Sequence, residues 1–182
     1  MKKTTKTRLS LLMLITIALI LTTHHNEFRS DDSIPITAQT AYNEGQLAPN
    51  FKLKTLDGQT LQLSDYRGQK ILLNFWASWC PPCKSETPDL NEFYIEHKKE
   101  NMIVLSVNMT YAEKNNQSVQ AFQDTYKIKY PVLLDQTGDI AELYGILTIP
   151  TSYLIDSTGT IQKRIIGPLQ KENIEQLMET LD

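Results

Sequence analysis

Short polar breaks divide the chain into apolar runs whose spacing alternates between that of strands and that of helices. Residues 51–63 (FKLKTLDGQTLQL) alternate apolar and polar about Asp57-Gly58, a β-hairpin signal. Ser64 to Gly68 reads as a short helical turn. Ile71 to Trp76 (ILLNFW) is nearly all apolar, as a central strand buried on both faces must be. A helix is expected to start after Cys80, with Pro81 at its first position, where a missing N–H is no loss. It should run to about Lys99 and bend at Pro88, which cannot bond back to the carbonyl of Lys84. Met102 to Asn108 (MIVLSVN) is a second buried strand. Ser118 is a candidate cap for a helix carrying Val119, Phe122 and Tyr126 at helical spacing. Val132 to Leu134 is a short extended piece, and Asp139 to Tyr144 a short helix ended by Gly145. Ser152–Ile155 and Thr160–Ile166 flank a turn at residues 156–159 and form a hairpin. Lys171 to Leu181 closes the chain as a helix with Ile174, Leu177, Met178 and Leu181 on one face. Hairpin, βαβα with a short extra helix, then ββα is the order of an α/β sandwich around a mixed sheet.

The N-terminus follows another rule. Lys2, Lys3, Lys6 and Arg8 precede an apolar run from Leu9 to Leu21 that is interrupted only by Ser10 and Thr16. A spanning helix usually needs about 20 residues, so by length this resembles the apolar region of a signal peptide. The exit, LTTHHNEF, offers neither a small-x-small cleavage site nor a cysteine for a lipid anchor, which favours an uncleaved signal anchor over a cleaved signal peptide. Either way the basic end stays cytoplasmic and the rest is exported. Residues 1–23 are thus read as signal anchor or signal peptide, 24–45 as a polar, aperiodic tether, and 46–182 as one folded domain. His24 and His25 fit an interfacial role at the exit better than a metal site.

Charge and composition narrow the function. Of 182 residues 41% are hydrophobic and 21% charged, so the chain is not disordered overall. Four of the 18 bases lie in the first eight residues. The remaining 14 face all 21 acids, a net charge of −7 that gives no footprint for nucleic acid. Two cysteines can neither build a disulfide scaffold nor complete a four-ligand zinc site.

Those two cysteines, Cys80 and Cys83, sit three residues apart where a strand gives way to a helix. One turn brings them side by side, so a disulfide closes with little backbone movement. The helix N-terminus stabilises a thiolate at Cys80, which reads as the exposed nucleophile, with Cys83 as the resolving thiol. As a structural staple the pair would do little, because so short a loop removes little entropy.

The segment NFWASWCPPCKSETPDL (74–90) resembles a thioredoxin-type active site, and GILTIPTSYLIDSTGTI (145–161) resembles the cis-proline strand and hairpin of that fold. The lead-in APNFKLKTLDGQTLQLSDYRGQKILLNFWASWC (48–80) and the insert QTGDIAELYGI (136–146) are similar to the TlpA/ResA branch of exported thiol–disulfide oxidoreductases, its StoA type most of all. The resemblance spans about residues 47 to 181 and implies a thioredoxin-like sandwich with an N-terminal β-hairpin and a short helical insert. Cys80 and Cys83 become the redox pair and Pro150 the cis-proline facing it. Trp79 and the backbone around Ile149 become substrate contacts, and Trp76 faces the core. Asn74 departs from thioredoxins, which carry a buried Asp there. Glu86, three residues after Cys83, matches a ResA-like CxxCxxE pattern and could raise the thiol pKa values and shuttle a proton; the alternative is a solvated glutamate near the helix start. Tyr111, Tyr126 and Tyr130 read as packing residues, and His97 as solvated.

The resemblance further implies no cofactor and no metal. It implies disulfide-containing exported proteins as substrates, in cytochrome c maturation or spore and envelope synthesis, and a CcdA-like membrane protein as electron donor. It also implies a monomer held at the cell membrane with its domain outside. Two other classes compete. A peroxiredoxin-like thiol peroxidase shares the lead-in, but Ala77 stands where that chemistry wants Thr. A Sco-like copper chaperone needs CxxxC and a distant His, and this chain has CxxC with no His beyond His97.

Overall fold

Strand β3 (Lys70–Trp76) organises the domain, because its side chains alternate between two cores. Leu72 and Trp76 enter one core; Ile71, Leu73 and Phe75 enter the other. The computed structural model describes residues 42–181. The signal or anchor expected at 1–23 and most of the expected tether lie outside the described residues.

Among the described residues seven strands form one mixed sheet. Besides β3 these are β1 (Lys52–Thr55), β2 (Thr60–Gln62), β4 (Met102–Asn108), β5 (Val132–Leu134), β6 (Thr151–Ile155) and β7 (Ile161–Ile166). Their spatial order is β2-β1-β5-β4-β3-β6-β7. Strands β3, β4 and β5 run parallel, and β1, β2, β6 and β7 pair antiparallel to their neighbours. Helices α1 (Pro81–His97), α2 (Asn116–Tyr126) and α4 (Lys171–Glu179) contribute Phe93, Phe122 and Ile174 to the first core. The second core is closed by Phe51 and Leu63 and by Tyr144, just after the short helix α3 (Asp139–Leu143). Fully burying a Leu or Phe is worth about 1.5–3 kcal/mol, so the two cores carry most of the stability. This is the thioredoxin-like sandwich that the sequence implies.

The hairpin turns where Asp57-Gly58 indicated: Gly58 has φ +82° and donates to the carbonyl of Thr55 at 3.1 Å. Helix α1 continues through Pro88, which removes one hydrogen bond without ending the helix. Three details differ from the reading of the sequence. The cap of α2 is Asn115, whose side chain accepts from Ser118 N–H at 3.0 Å, so the helix starts before Ser118. Residues 42–45, assigned to the tether, lie against β7. Gly45 N–H donates to Ile161 at 2.7 Å, and Glu44 accepts from Arg164 N–H at 3.1 Å. Together with the bridge Leu47–Thr160 they cover the open edge of β7, which would otherwise expose unpaired backbone. His97 is not solvated: its ring packs on Phe93 at 4.7 Å, and its nitrogens lie 2.8 Å from Glu100 and 3.6 Å from Glu175.

Candidate functional site

The parallel pair β3–β4 ends at Trp76 and Asn108, and the chain leaves β3 through Ala77-Ser78-Trp79 into α1. Cys80 is the N-cap of α1, with extended backbone (φ −79°, ψ 113°). Its sulfur accepts from the N–H of Cys83 at 3.3 Å. Pro81 and Pro82 occupy the next two positions and have no N–H to give, so this is the close backbone donor. Cys80 and Cys83 form a disulfide with a Cα–Cα distance of 5.3 Å, inside the usual range. The expected exposure of Cys80 is corrected: the residue is 2% exposed and Cys83 1%. In the disulfide state the pair is reached through a groove of about 370 Å³ between Trp79, Pro81 and Pro82 on one side and Met109, Leu147 and Ile149 on the other.

The Ile149–Pro150 bond is cis and brings the carbonyl of Ile149 to 3.8 Å from the Cys80 sulfur. A thiol at Cys80 could donate to that carbonyl; a disulfide sulfur has no proton to give. The N–H of Ile149, two residues before β6, has no hydrogen-bond partner among the described residues. Trp79 is 53% exposed, and its indole N–H donates to the carbonyl of Ala112 at 3.0 Å. Trp76 packs in the core against Phe122 at 4.4 Å. The structure thus brings together Cys80, Cys83, Trp79, Ile149 and Pro150 from two distant segments.

Glu86 lies one turn beyond Cys83 on α1 and is buried rather than in solvent, only 1% exposed. On α1 it falls on the stripe of Cys83, Leu90 and Phe93, all of which are buried. Its carboxylate accepts from Asn74 Nδ2 at 2.9 Å and from Leu169 N–H at 3.1 Å. Asn74 also donates to Ser152 Oγ at 3.1 Å, across the β3–β6 pair. Burial raises the Glu86 pKa to about 7, against the opposing pull of the Leu169 and Asn74 donors. Asn74, unable to titrate, orients a neighbour that can.

Glu113 escapes the sequence reading because it lies in an irregular segment with no period. Its carboxylate accepts from Ser78 N–H at 2.6 Å, Ser78 Oγ at 2.5 Å and Asn108 Nδ2 at 2.9 Å. It therefore ties the loop carrying Trp79 to the end of β4. No sequence signal marks this pairing across 35 residues.

Among the described residues metal chemistry gains no support from the ligand geometry. Glu96, His97 and Glu175 bring ligand atoms together, but the Lys171 ammonium already lies 2.6 Å from Glu96 and 3.8 Å from Glu175. His97 stands at the far end of α1 from Cys80, roughly 25 Å away at 1.5 Å per residue. The two cannot share the copper that a chaperone would carry.

Comparison with known proteins agrees with this geometry. Residues 45–164 match the AhpC/TSA family model. The chain is 41% identical to the thioredoxin-like protein YneN of Bacillus subtilis over 78% of this chain and 82% of that one. It is 35% identical to the thiol-disulfide oxidoreductase ResA of Geobacillus thermodenitrificans over 96% and 94%. The crystal structure of StoA from Bacillus subtilis superposes with a TM-score of 0.63 at 40% identity, covering 72% of this chain and 95% of StoA. With its two cysteines joined at the start of α1 on this fold, the chain belongs to the ResA/StoA-type thiol–disulfide oxidoreductases within the AhpC/TSA family.

Proposed function

We propose that the protein is a membrane-tethered reductant of disulfides in exported proteins, with Cys80 attacking and Cys83 resolving. The observation that carries this reading is the Cys80–Cys83 disulfide at the N-terminus of α1, open to an apolar groove in front and backed by the buried Glu86. In the dithiol state the Cys80 thiolate attacks one sulfur of a substrate disulfide. A Cys80–substrate disulfide forms, and the other substrate sulfur leaves as a thiolate and takes a proton. Cys83 then loses its proton and attacks the Cys80 sulfur. The Cys80–Cys83 bond closes, and the second substrate thiol is released. Two electrons have passed to the substrate, and a second dithiol protein must return them. Glu86, one turn beyond Cys83 and divided between its two forms near neutral pH, accepts the Cys83 proton and gives it back on reduction. The unpaired N–H of Ile149 offers the substrate backbone a partner beside Pro150.

The tether is supported by the sequence. The similarity to ResA reaches into the first 41 residues, where the basic flank and apolar run predict a signal anchor. The domain then faces the outside of the membrane, works as a monomer, and draws electrons from a CcdA-like membrane protein. Its substrates are disulfides of apocytochrome c or of proteins of spore and envelope synthesis. The test is capture. Cys83→Ser should accumulate mixed disulfides through Cys80, seen as reductant-sensitive adducts on gels, and Cys80→Ser should not. Adducts on Cys80→Ser alone would reverse the assignment.

The AhpC/TSA match also keeps a thiol peroxidase in view. Against it, Ala77 stands three residues before Cys80, where a hydroxyl donor is wanted. Peroxide consumption by the reduced protein should stay at the level of an unactivated thiol.

A further inference from the structure

Exposed apolar surface is concentrated on one side of the disulfide. Of the seven large hydrophobic side chains exposed among the described residues, Trp79, Tyr111, Leu143 and Leu147 border three grooves that all touch Leu147. Leu147 is 94% exposed, two residues before the carbonyl that faces the Cys80 sulfur. A leucine left in water contributes nothing to folding, whereas apolar surface gathered around grooves marks a binding surface. The first groove is that of the disulfide. The second, about 400 Å³, lies between Tyr111 and α3. The third, about 550 Å³, lies past Leu143 and is rimmed by Asp139, Glu142 and Arg164.

This surface is built on rigid supports. The carboxylate of Asp135, itself fully buried, accepts from Gly138 N–H at 3.0 Å and Ala141 N–H at 2.8 Å and so fixes the start of α3. The carbonyl of Asp135 accepts from Tyr111 N–H at 3.1 Å, so Tyr111 and α3 share one anchor. At the far rim the charge is negative. Arg164 donates to the carbonyl of Gly145 at 2.8 Å and lies over the rings of Tyr42 and Tyr153. No ion pair joins Asp139 or Glu142 to a cation among the described residues.

We propose that the grooves meeting at Leu147 bind an extended segment of the substrate polypeptide beside its cysteine, with an apolar side chain between Tyr111 and Leu147 and a basic one against Asp139 and Glu142. This rests on the thiol–disulfide reading and adds a substrate class to it: unfolded or looped segments that are apolar and basic next to the cysteine. Continuity with the disulfide groove fixes the direction, and the carboxylates of Glu142 and of Asp139, which accepts from Thr137 Oγ1 at 2.7 Å but pairs with no cation among the described residues, fix the charge.

The test uses the reduced protein and three peptides, each carrying its cysteine as a disulfide with thionitrobenzoate. The cysteine is flanked by Leu and Lys, by Leu and Glu, or by Ser alone. The symmetrical nitrobenzoate disulfide is the reference. The Leu-Lys peptide should exceed the Ser peptide about tenfold in kcat/KM, the range for burying one aliphatic side chain. It should also exceed the Leu-Glu peptide, by a margin that shrinks in 1 M salt, where the screening length is about 3 Å. Leu147→Ser should lower the ratio of the Leu-Lys rate to the reference rate about tenfold, and Glu142→Lys should reverse the preference between Lys and Glu. Equal rates for all three peptides, with the reference still reduced, would overturn the proposal. No reaction with the reference would instead overturn the thiol–disulfide reading and the proposal with it.

Discussion

Glu86 shows how one residue's surroundings decide its chemistry. Near a helix start and in water it would be an ordinary carboxylate; burial pushes its pKa up to about 7 even though the Asn74 and Leu169 donors pull the other way. Between pH 4.5, the ordinary value, and pH 7 the folded protein therefore holds a proton that the unfolded chain has lost. Its stability contribution is complete below about pH 4.5 and is lost as pH rises through about 7. A shift of this size is worth about 3 kcal/mol. Glu86→Gln cannot titrate, so denaturation of the oxidised protein at pH 5 and pH 8 should show the wild type losing about 2–3 kcal/mol more than the variant across that interval. Equal losses would place Glu86 in contact with water. In the reduced protein the same substitution should lower the thiol pKa values and slow exchange near neutral pH, because it removes both a like charge and a proton carrier. The burial of Glu86 was legible in part. It shares a helical stripe with Cys83, Leu90 and Phe93, which is visible in the sequence. Its donors were not: Asn74 and Leu169 come from segments 12 and 83 residues away.

At the scale of elements, what the sequence revealed was what repeats. The nearly all-apolar run of β3, the alternation about Asp57-Gly58 and the helical spacing in α2 and α4 marked the buried strand, the hairpin and the helix faces that enter the core, because burial imposes each pattern. What it concealed depends on single contacts between segments without a period. The docking of residues 42–45 on β7 and the choice of Asn115 over Ser118 as cap are of this kind. So is the clamp of Glu113 on Ser78, which holds the loop between β3 and α1 against the end of β4. Glu113→Ala removes the acceptor of both Ser78 donors and of Asn108, and should free Trp79 to leave the groove. Leaving partly buried donors unpaired costs about 1–3 kcal/mol. The more telling readout is Trp79 fluorescence, measured with Trp76 replaced by Phe in both proteins. Acrylamide should quench it faster in the Glu113 variant, while KM for a protein disulfide rises more than kcat falls. A lowered melting temperature with unchanged quenching would leave Glu113 a purely structural residue.

For the whole molecule, the proposed place of work at the membrane is open to direct test. A basic start, an uncharged run and an acidic body of net charge −7 predict that the full chain sediments with membranes and that a reporter fused after residue 45 is active outside. Recovery of a soluble form beginning between residues 24 and 41 would show cleavage instead. The central claim is that the Cys80–Cys83 pair gives electrons rather than takes them. The helix N-terminus stabilises a Cys80 thiolate, but Pro81 and Pro82 leave the Cys83 N–H as its close backbone donor, and no histidine lies between the cysteines. Glu86 on the same helix face opposes a second negative charge. A weakly stabilised dithiol state means a low potential. Equilibrating the protein in dithiothreitol or glutathione buffers measures it directly. The account predicts a value near the roughly −270 mV of thioredoxin, and a value near the roughly −120 mV of strong oxidants would contradict it.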